Sequence, residues 1–298
     1  MIRKSKVINQ ILVVVGPTAT NKTQVAINLA KEFDGEIINA DAFQVYKELN
    51  VGVNKPSTKE MTSAKFHLIG TISINQKWDI KRFQDEANTI IQDIYMRGKL
   101  PIIVGGSHLY VDALINNYDL SNASERDNKY TDLSNQELFN KLSKLDKSLA
   151  DKIGGSNHNR LVRALQITES GKTLNKTNAS LYEPLYVLCT KPRELLYDDI
   201  NKRVDLMIRH GWFEEVNHLI KNHSDFLNLN AAKAIGYISI ANGLLNPTLG
   251  IDIEKIKQQT RHYAKRQLTW IRHHYNNVVE YTQDNIEQVI KQVREWKK

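Results

Sequence analysis

The chain has 298 residues, a formal net charge of +8 and a single cysteine, Cys189. One cysteine excludes an internal disulfide framework and any cysteine-rich zinc site, and no run approaches the roughly 20 apolar residues of a membrane helix. No amino-terminal stretch has a signal-peptide pattern, so a soluble, cytoplasmic protein with no membrane partner is expected; the spread-out positive excess admits a polyanion such as RNA without requiring one.

After a polar, basic start, residues 11–15 read ILVVV, a β-branched run that suits a buried parallel strand. Gly16, Pro17, Thr18, Ala19, Thr20, Asn21, Lys22 and Thr23 follow, close to the pattern G-x-x-x-x-G-K-[ST], with Asn21 in place of the second glycine. Asparagine tolerates left-handed backbone geometry, so the turn can survive the exchange. Apolar residues at helical spacing then run over 24–33. In a strand-loop-helix of this kind the backbone N–H groups face an anion and Lys22 adds a charge. The Thr23 hydroxyl stands where a phosphate-bound magnesium ion needs an oxygen. A phosphate or diphosphate is the expected ligand, with a plain strand-to-helix turn as the alternative.

Residues 36–40, EIINA, read as a second strand that delivers Asp41 to the sheet edge shared with the phosphate loop. Asp41 is there either a reacting carboxylate or a helix N-cap. Phe43, Gln44 and Tyr46 precede the turn Asn54-Lys55-Pro56. A short strand over 67–69, a helix over 78–97 and a third apolar run over 100–104 lead to Gly105-Gly106-Ser107-His108. Ser107 offers a hydroxyl at that edge, and His108 is expected on the surface of a turn.

Strand patterns vanish between about 117 and 182. Two helical patterns, 135–153 and 159–169, indicate a helical subdomain over 118–182 inserted into a core of 1–117 and 183–298. Asn159, Arg160, Leu161, Val162 and Arg163 open the second pattern, with the two arginines three apart on one face. That pair suits an RNA backbone or a diphosphate, and equally an ordinary solvated face. A strand over 184–190, holding Cys189, and helices over 193–210, 212–222 and from 234 come next. A long basic helix over 253–274 interleaves Arg261, His262, Lys265, Arg266, Arg272, His273 and His274 with Tyr263 and Trp270. Residues 285–298 suit a terminal helix packing on the core. The expected fold class is α/β: a P-loop-type core with a parallel sheet flanked by helices, plus the small inserted helical subdomain. No heptad seam is present, so a monomer is expected.

Seven ordered blocks, GPTATNKT, EIINADAFQVYKELNVGVNKP, LPIIVGGSHLYVDAL, NRLVRALQITESGKT, KRVDLMIRHGWFEEV, AKAIGY and YAKRQLTWIR, resemble the bacterial tRNA dimethylallyltransferase family over nearly the whole chain. The resemblance implies transfer of a dimethylallyl group from dimethylallyl diphosphate to the exocyclic N6 amine of the adenosine at tRNA position 37, beside the anticodon, with Mg2+. It implies that residues 16–23 cradle the diphosphate, with Thr23 at the metal, and that Lys22, Thr23, Asp41 and Ser107 serve the chemistry. Asp41, Ala42, Phe43, Gln44, Ser107 and residues 159–163 would contact the tRNA, whose anticodon stem-loop the insertion would embrace. Phe43 and Tyr46 are candidates to pack near the flipped base, and Arg126 is a candidate match to a family arginine. The family pattern has glycine where Asn21 stands, serine at Ala42 and threonine-glycine at Ser107-His108. Two other readings share parts of this pattern: a nucleotide kinase through the phosphate loop, and a tRNA-binding relative without catalysis through Asn21 and Ala42.

Overall fold

The structure is a computed structural model that describes residues 9–120, 129–130, 132–169, 179–282 and 285–297. Residues 170–173 of the fourth sequence block and Arg126 lie outside them. The chain divides into two compact units, one of Met1–Ile115 with Leu181–Lys298, the other Asn116–Ser180.

The larger unit is built on one parallel sheet. Strand β1 (Gln10–Val15) is followed by helix α1 (Lys22–Phe33), β2 (Gly35–Asn39), α2 (Thr58–Ser63), β3 (Phe66–His67), α3 (Ile80–Met96), β4 (Leu100–Val104) and α4 (His108–Ile115). In the smaller unit come α5 (Asn135–Leu145), α6 (Lys147–Ile153) and α7 (His158–Glu169). The larger unit resumes with β5 (Glu183–Cys189), α8 (Arg193–Arg209), α9 (Trp212–Asn222), α10 (Tyr237–Leu245), α11 (Ile253–His274), β6 (Val279–Tyr281) and α12 (Ile286–Lys297). The sheet order is β3-β2-β4-β1-β5-β6, with every pairing parallel.

Both faces of this sheet are covered, which is why β1 reads as an unbroken apolar run rather than an alternation. Ile11, Val13 and Val15 point into one layer with Phe83, Ile91 and Ile94 of α3, Val216 of α9 and Ile240 of α10. Leu12 and Val14 point into the other, against Val25, Ala26 and Leu29 of α1 and Val289 and Val293 of α12. Each fully buried aliphatic side chain stabilises by about 1.5–3 kcal/mol, so the strand that carries the phosphate loop is firmly seated. From β1 the chain crosses to β2 on one side, while β5 pairs on the other. The carboxyl ends of β1, β2 and β4 thus flank a crevice at a reversal of strand order, where α/β proteins bind ligands.

At the opposite edge, Glu36 is buried in β2. Burial raises its pKa, but Arg97, His67 and Lys65 outweigh that and hold it at about 2. Arg97 pairs with it through both terminal nitrogens, His67 Nε2 lies at 2.8 Å and Lys65 Nζ at 3.3 Å.

The smaller unit has its own core of Tyr130, Leu138, Leu142, Ala150, Leu161, Ala164 and Leu165. The expected single helix over 135–153 is two helices. Asp146 ends α5 and caps α6, its Oδ1 accepting from Leu149 N–H at 2.9 Å, because a short carboxylate offers the backbone a cap that competes with helix continuation. The short helix α2 and strand β6 had no sequence expectation: six residues with no buried side chain and three at a sheet edge carry too little periodicity.

Candidate active site

The loop after β1 turns because Ala19 and Asn21 both adopt positive φ, 66° and 57°. Asn21 supplies the left-handed residue that the missing glycine would have given, and its side chain is exposed. Pro17 carbonyl oxygen accepts from Thr20 Oγ1 at 2.8 Å and from Lys22 Nζ at 2.7 Å. Two distant helices fasten the loop: Thr18 N–H donates to Gln267 Oε1 of α11 at 2.8 Å, and Arg203 Nη1 of α8 donates to Thr18 Oγ1 at 3.2 Å. Beneath it Ala19 packs with Leu196, Ile200 and Ala264 of the same helices. Burial pushes the Lys22 amine down to about 8, with Cys189 and Asp41 pulling upward and Arg203 downward.

Asp41 follows β2 as expected. Its Oδ1 accepts from Phe43 N–H at 2.9 Å and Gln44 N–H at 3.3 Å, while Oδ2 has no hydrogen-bond partner among the described residues. Asp41 caps no helix, since a turn and not a helix follows it; one oxygen holds that turn, and the other stays available. Burial raises the carboxyl's pKa, opposed by those two N–H groups and by Lys22.

The turn after β4 brings the third strand end in. A Cβ on Gly105 would stand 2.2 Å from the Ala40 carbonyl oxygen, so only glycine lets this turn lie against the end of β2. Gly106 carbonyl oxygen accepts from Gln267 Nε2 at 2.9 Å and Tyr263 hydroxyl at 3.0 Å. Ser107 Oγ accepts from Ala42 N–H at 3.1 Å. Ser107 thus holds the Asp41 turn and, like Gly16, Pro17 and Ala42, is not part of the cavity lining.

These elements enclose one cavity of about 400 Å³. Thr18, Ala19, Thr20, Asn21, Lys22 and Thr23 line it together with Asp41, Phe43 and Gln44. Further walls include Gly52, Val53, Asn54 and Pro56, then Arg203, Met207 and Trp212, and then Lys233, Thr260, Tyr263, Arg266 and Gln267. Tyr263 and Arg266 belong to the long basic helix, whose interleaved basic and aromatic residues suit the lining of an anionic substrate, whereas Arg203, Met207, Trp212, Lys233, Thr260 and Gln267 had no assigned role in the sequence. Their blocks, KRVDLMIRHGWFEEV, AKAIGY and YAKRQLTWIR, were visible as motifs, but a helix face that meets a loop more than 180 residues away in sequence leaves no local spacing to read.

Several expectations are corrected. His108 is buried at the start of α4 rather than in a surface turn; burial, then the Lys22 and His274 charges, push its pKa down to about 3. Tyr46 is fully buried, with its hydroxyl accepting from Asn230 Nδ2 at 3.2 Å, so it packs in the core and lines no part of the cavity. In the smaller unit Asn159 and Arg160 are exposed and Val162 and Arg163 half-buried, but Leu161 is a core residue with no surface to offer.

Sheet order, loop and cavity define a P-loop-type α/β protein. The IPP transferase family matches residues 44–274. The tRNA dimethylallyltransferase of Malacoplasma penetrans is 43% identical over 274 residues, 89% of this chain and 90% of that protein. That of Exiguobacterium sibiricum is 39% identical over 89% of this chain and 88% of its own length. The crystal structure of the full-length tRNA isopentenylpyrophosphate transferase from Bacillus halodurans has a TM-score of 0.74 at 32% identity, covering 96% of each chain. A eukaryotic dimethylallyltransferase acting on tRNA gives 0.75 at 28% identity, over 88% of this chain and 70% of that one. The chain belongs to the IPP transferase family. No helix among the described residues is long and apolar enough to cross a membrane.

Proposed function

We propose that this protein transfers a dimethylallyl group from dimethylallyl diphosphate to the N6 amine of the adenosine beside the tRNA anticodon, at position 37. The observation that carries the reading is that one cavity joins a phosphate-type loop to a carboxylate with one uncommitted oxygen. The names of the relatives, all transferases acting on tRNA, point the same way.

In this reading the loop amides, Lys22 and Thr23 take the diphosphate as the allylic carbon–oxygen bond breaks, stabilising the charge that develops on the leaving group. The amine nitrogen forms the new bond to that carbon and loses a proton to Asp41 Oδ2. A carboxylate suits the task because the adenine lone pair is delocalised into its ring and attack needs the proton drawn away. Burial raises the Asp41 pKa and makes it a better base than a solvated carboxylate. Ser107 acts through the Ala42 amide, holding the turn that aims Asp41.

The residues present fit Mg2+ as a counter-ion of the diphosphate. Among the described residues no three His, Cys, Asp or Glu side chains are grouped to hold a metal alone, and Thr23 supplies one hydroxyl oxygen in the cavity. Bound with the diphosphate, magnesium neutralises departing charge. The smaller unit is assigned to the anticodon stem-loop, with Asn159, Arg160 and Arg163 on its RNA face, and the protein to a monomeric, cytoplasmic state.

Incubation with magnesium, labelled dimethylallyl diphosphate and an unmodified anticodon stem-loop tests the reading. Label in an RNA containing the target adenosine, and none when guanosine replaces it, is the expected result. Phosphate transfer from ATP to a nucleotide without prenyl transfer would replace it with the kinase reading.

A further inference from the structure

Glu215 stands in the first turn of α9 but does not cap its own helix. Its carboxylate reaches across to the loop after Leu49. Oε2 accepts from Asn50 N–H at 2.8 Å and Val51 N–H at 2.7 Å, and Oε1 accepts from Gly52 N–H at 3.3 Å and from the buried Tyr237 hydroxyl at 2.6 Å. Three successive amides converging on one carboxylate form an anion nest whose anion is part of the protein. One helical turn earlier on the same helix, Trp212 lies so close that a Cβ on Gly52 would stand 1.9 Å from its Nε1.

The held loop is a wall of the cavity: Gly52, Val53 and Asn54 line it. It is also the seat of Gln44, whose Nε2 donates to the Val53 and Asn54 carbonyl oxygens, both at 3.1 Å. Gln44 is the residue whose backbone N–H helps hold Asp41 Oδ1. A chain of direct hydrogen bonds therefore runs from Glu215, through loop 50–54, to the side chain beside the reacting carboxylate. None of it touches the phosphate loop.

We propose that Glu215 is a positioning residue for the acceptor base, acting through loop 50–54 to fix the wall on which Gln44 rests. The inference rests on the transferase reading above and adds to it a division of labour. Lys22, Thr23 and Arg203 serve the diphosphate end, while α9 serves the nucleobase end.

The test uses the full chain with Glu215→Ala, Glu215→Gln and Tyr237→Phe. Amide hydrogen exchange over 50–54, the thermal midpoint, and KM values for stem-loop RNA and for dimethylallyl diphosphate are measured separately. Glu215→Ala is expected to speed exchange in that loop and raise the RNA KM by about tenfold, leaving the donor KM within about twofold. Glu215→Gln, which keeps one acceptor oxygen, recovers part of the loss, and Tyr237→Phe shows a smaller change in the same direction. If Glu215→Ala does not fold, those two variants carry the comparison. Equal shifts in both KM values, a fall in thermal midpoint with both KM values unchanged, or unaltered exchange would each overturn the proposal. An inactive wild-type protein defeats the transferase reading and the clamp with it; an active one whose variants match it defeats the clamp alone.

Discussion

Asn21 shows how one residue's backbone geometry decides whether a motif survives a substitution. Its φ of 57° is what the turn requires, and its side chain is exposed at the cavity wall rather than packed beneath the loop. Asn21→Gly is therefore expected to change prenyl transfer by less than about threefold, since asparagine is among the residues most tolerant of this region. Lys22 makes the phosphate loop sensitive to pH. Its amine loses charge through about pH 8, so affinity for an anion is complete below that value and falls as pH rises through it. Titration calorimetry with inorganic diphosphate should give an affinity falling by up to about tenfold per pH unit above pH 8, beyond the fall seen with Lys22→Met. Both residues were legible as members of the loop. Arg203 and Gln267, which fasten the loop, were not, because nothing near them in sequence refers to residue 18.

Among the elements, those with long periodic patterns followed from sequence: β1, α3, β4 and α11 lie within a residue or two of expectation, since burial on a sheet face or along one helix stripe writes itself into spacing. Breaks set by a single side chain did not follow. Asp146 divides α5 from α6 through one cap, and His108 is buried because α4 begins one residue after Ser107. Strand β2 carries a prediction of its own. Glu36 has a folded pKa of about 2 against an ordinary 4.5, so the unfolded chain binds the proton first as pH falls. Its stabilising contribution is complete above about pH 4.5 and lost toward about pH 2. Acid unfolding followed by circular dichroism should thus be shallower over that interval in Glu36→Gln, which starts from lower stability at neutral pH.

At the scale of the whole molecule, the formal charge of +8 becomes informative once the cavity is known. Lys233 and Arg266 line its walls, and Arg160 is exposed in the smaller unit, so each unit by itself carries positive charge that suits the RNA proposed above. Stem-loop affinity measured by filter binding should fall at least about tenfold between 50 and 200 mM salt, as release of counterions from several phosphates requires. A flat salt dependence would remove the RNA backbone from the account. The α/β class was readable because short apolar strand patterns alternate with helical ones. The cavity was readable only in part, because its walls come from segments that lie far apart in the linear chain.

In the proposed mechanism Asp41 Oδ2 takes the amine proton, in a cavity whose phosphate end binds independently. Single-turnover transfer by Asp41→Asn, measured beside its equilibrium binding of inorganic diphosphate and of stem-loop RNA, tests this most directly. Both ligands should bind within a few-fold of wild type while transfer slows by about 10²–10⁴-fold, the range that loss of a general base produces. An asparagine variant that transfers at close to the wild-type rate would contradict that mechanism.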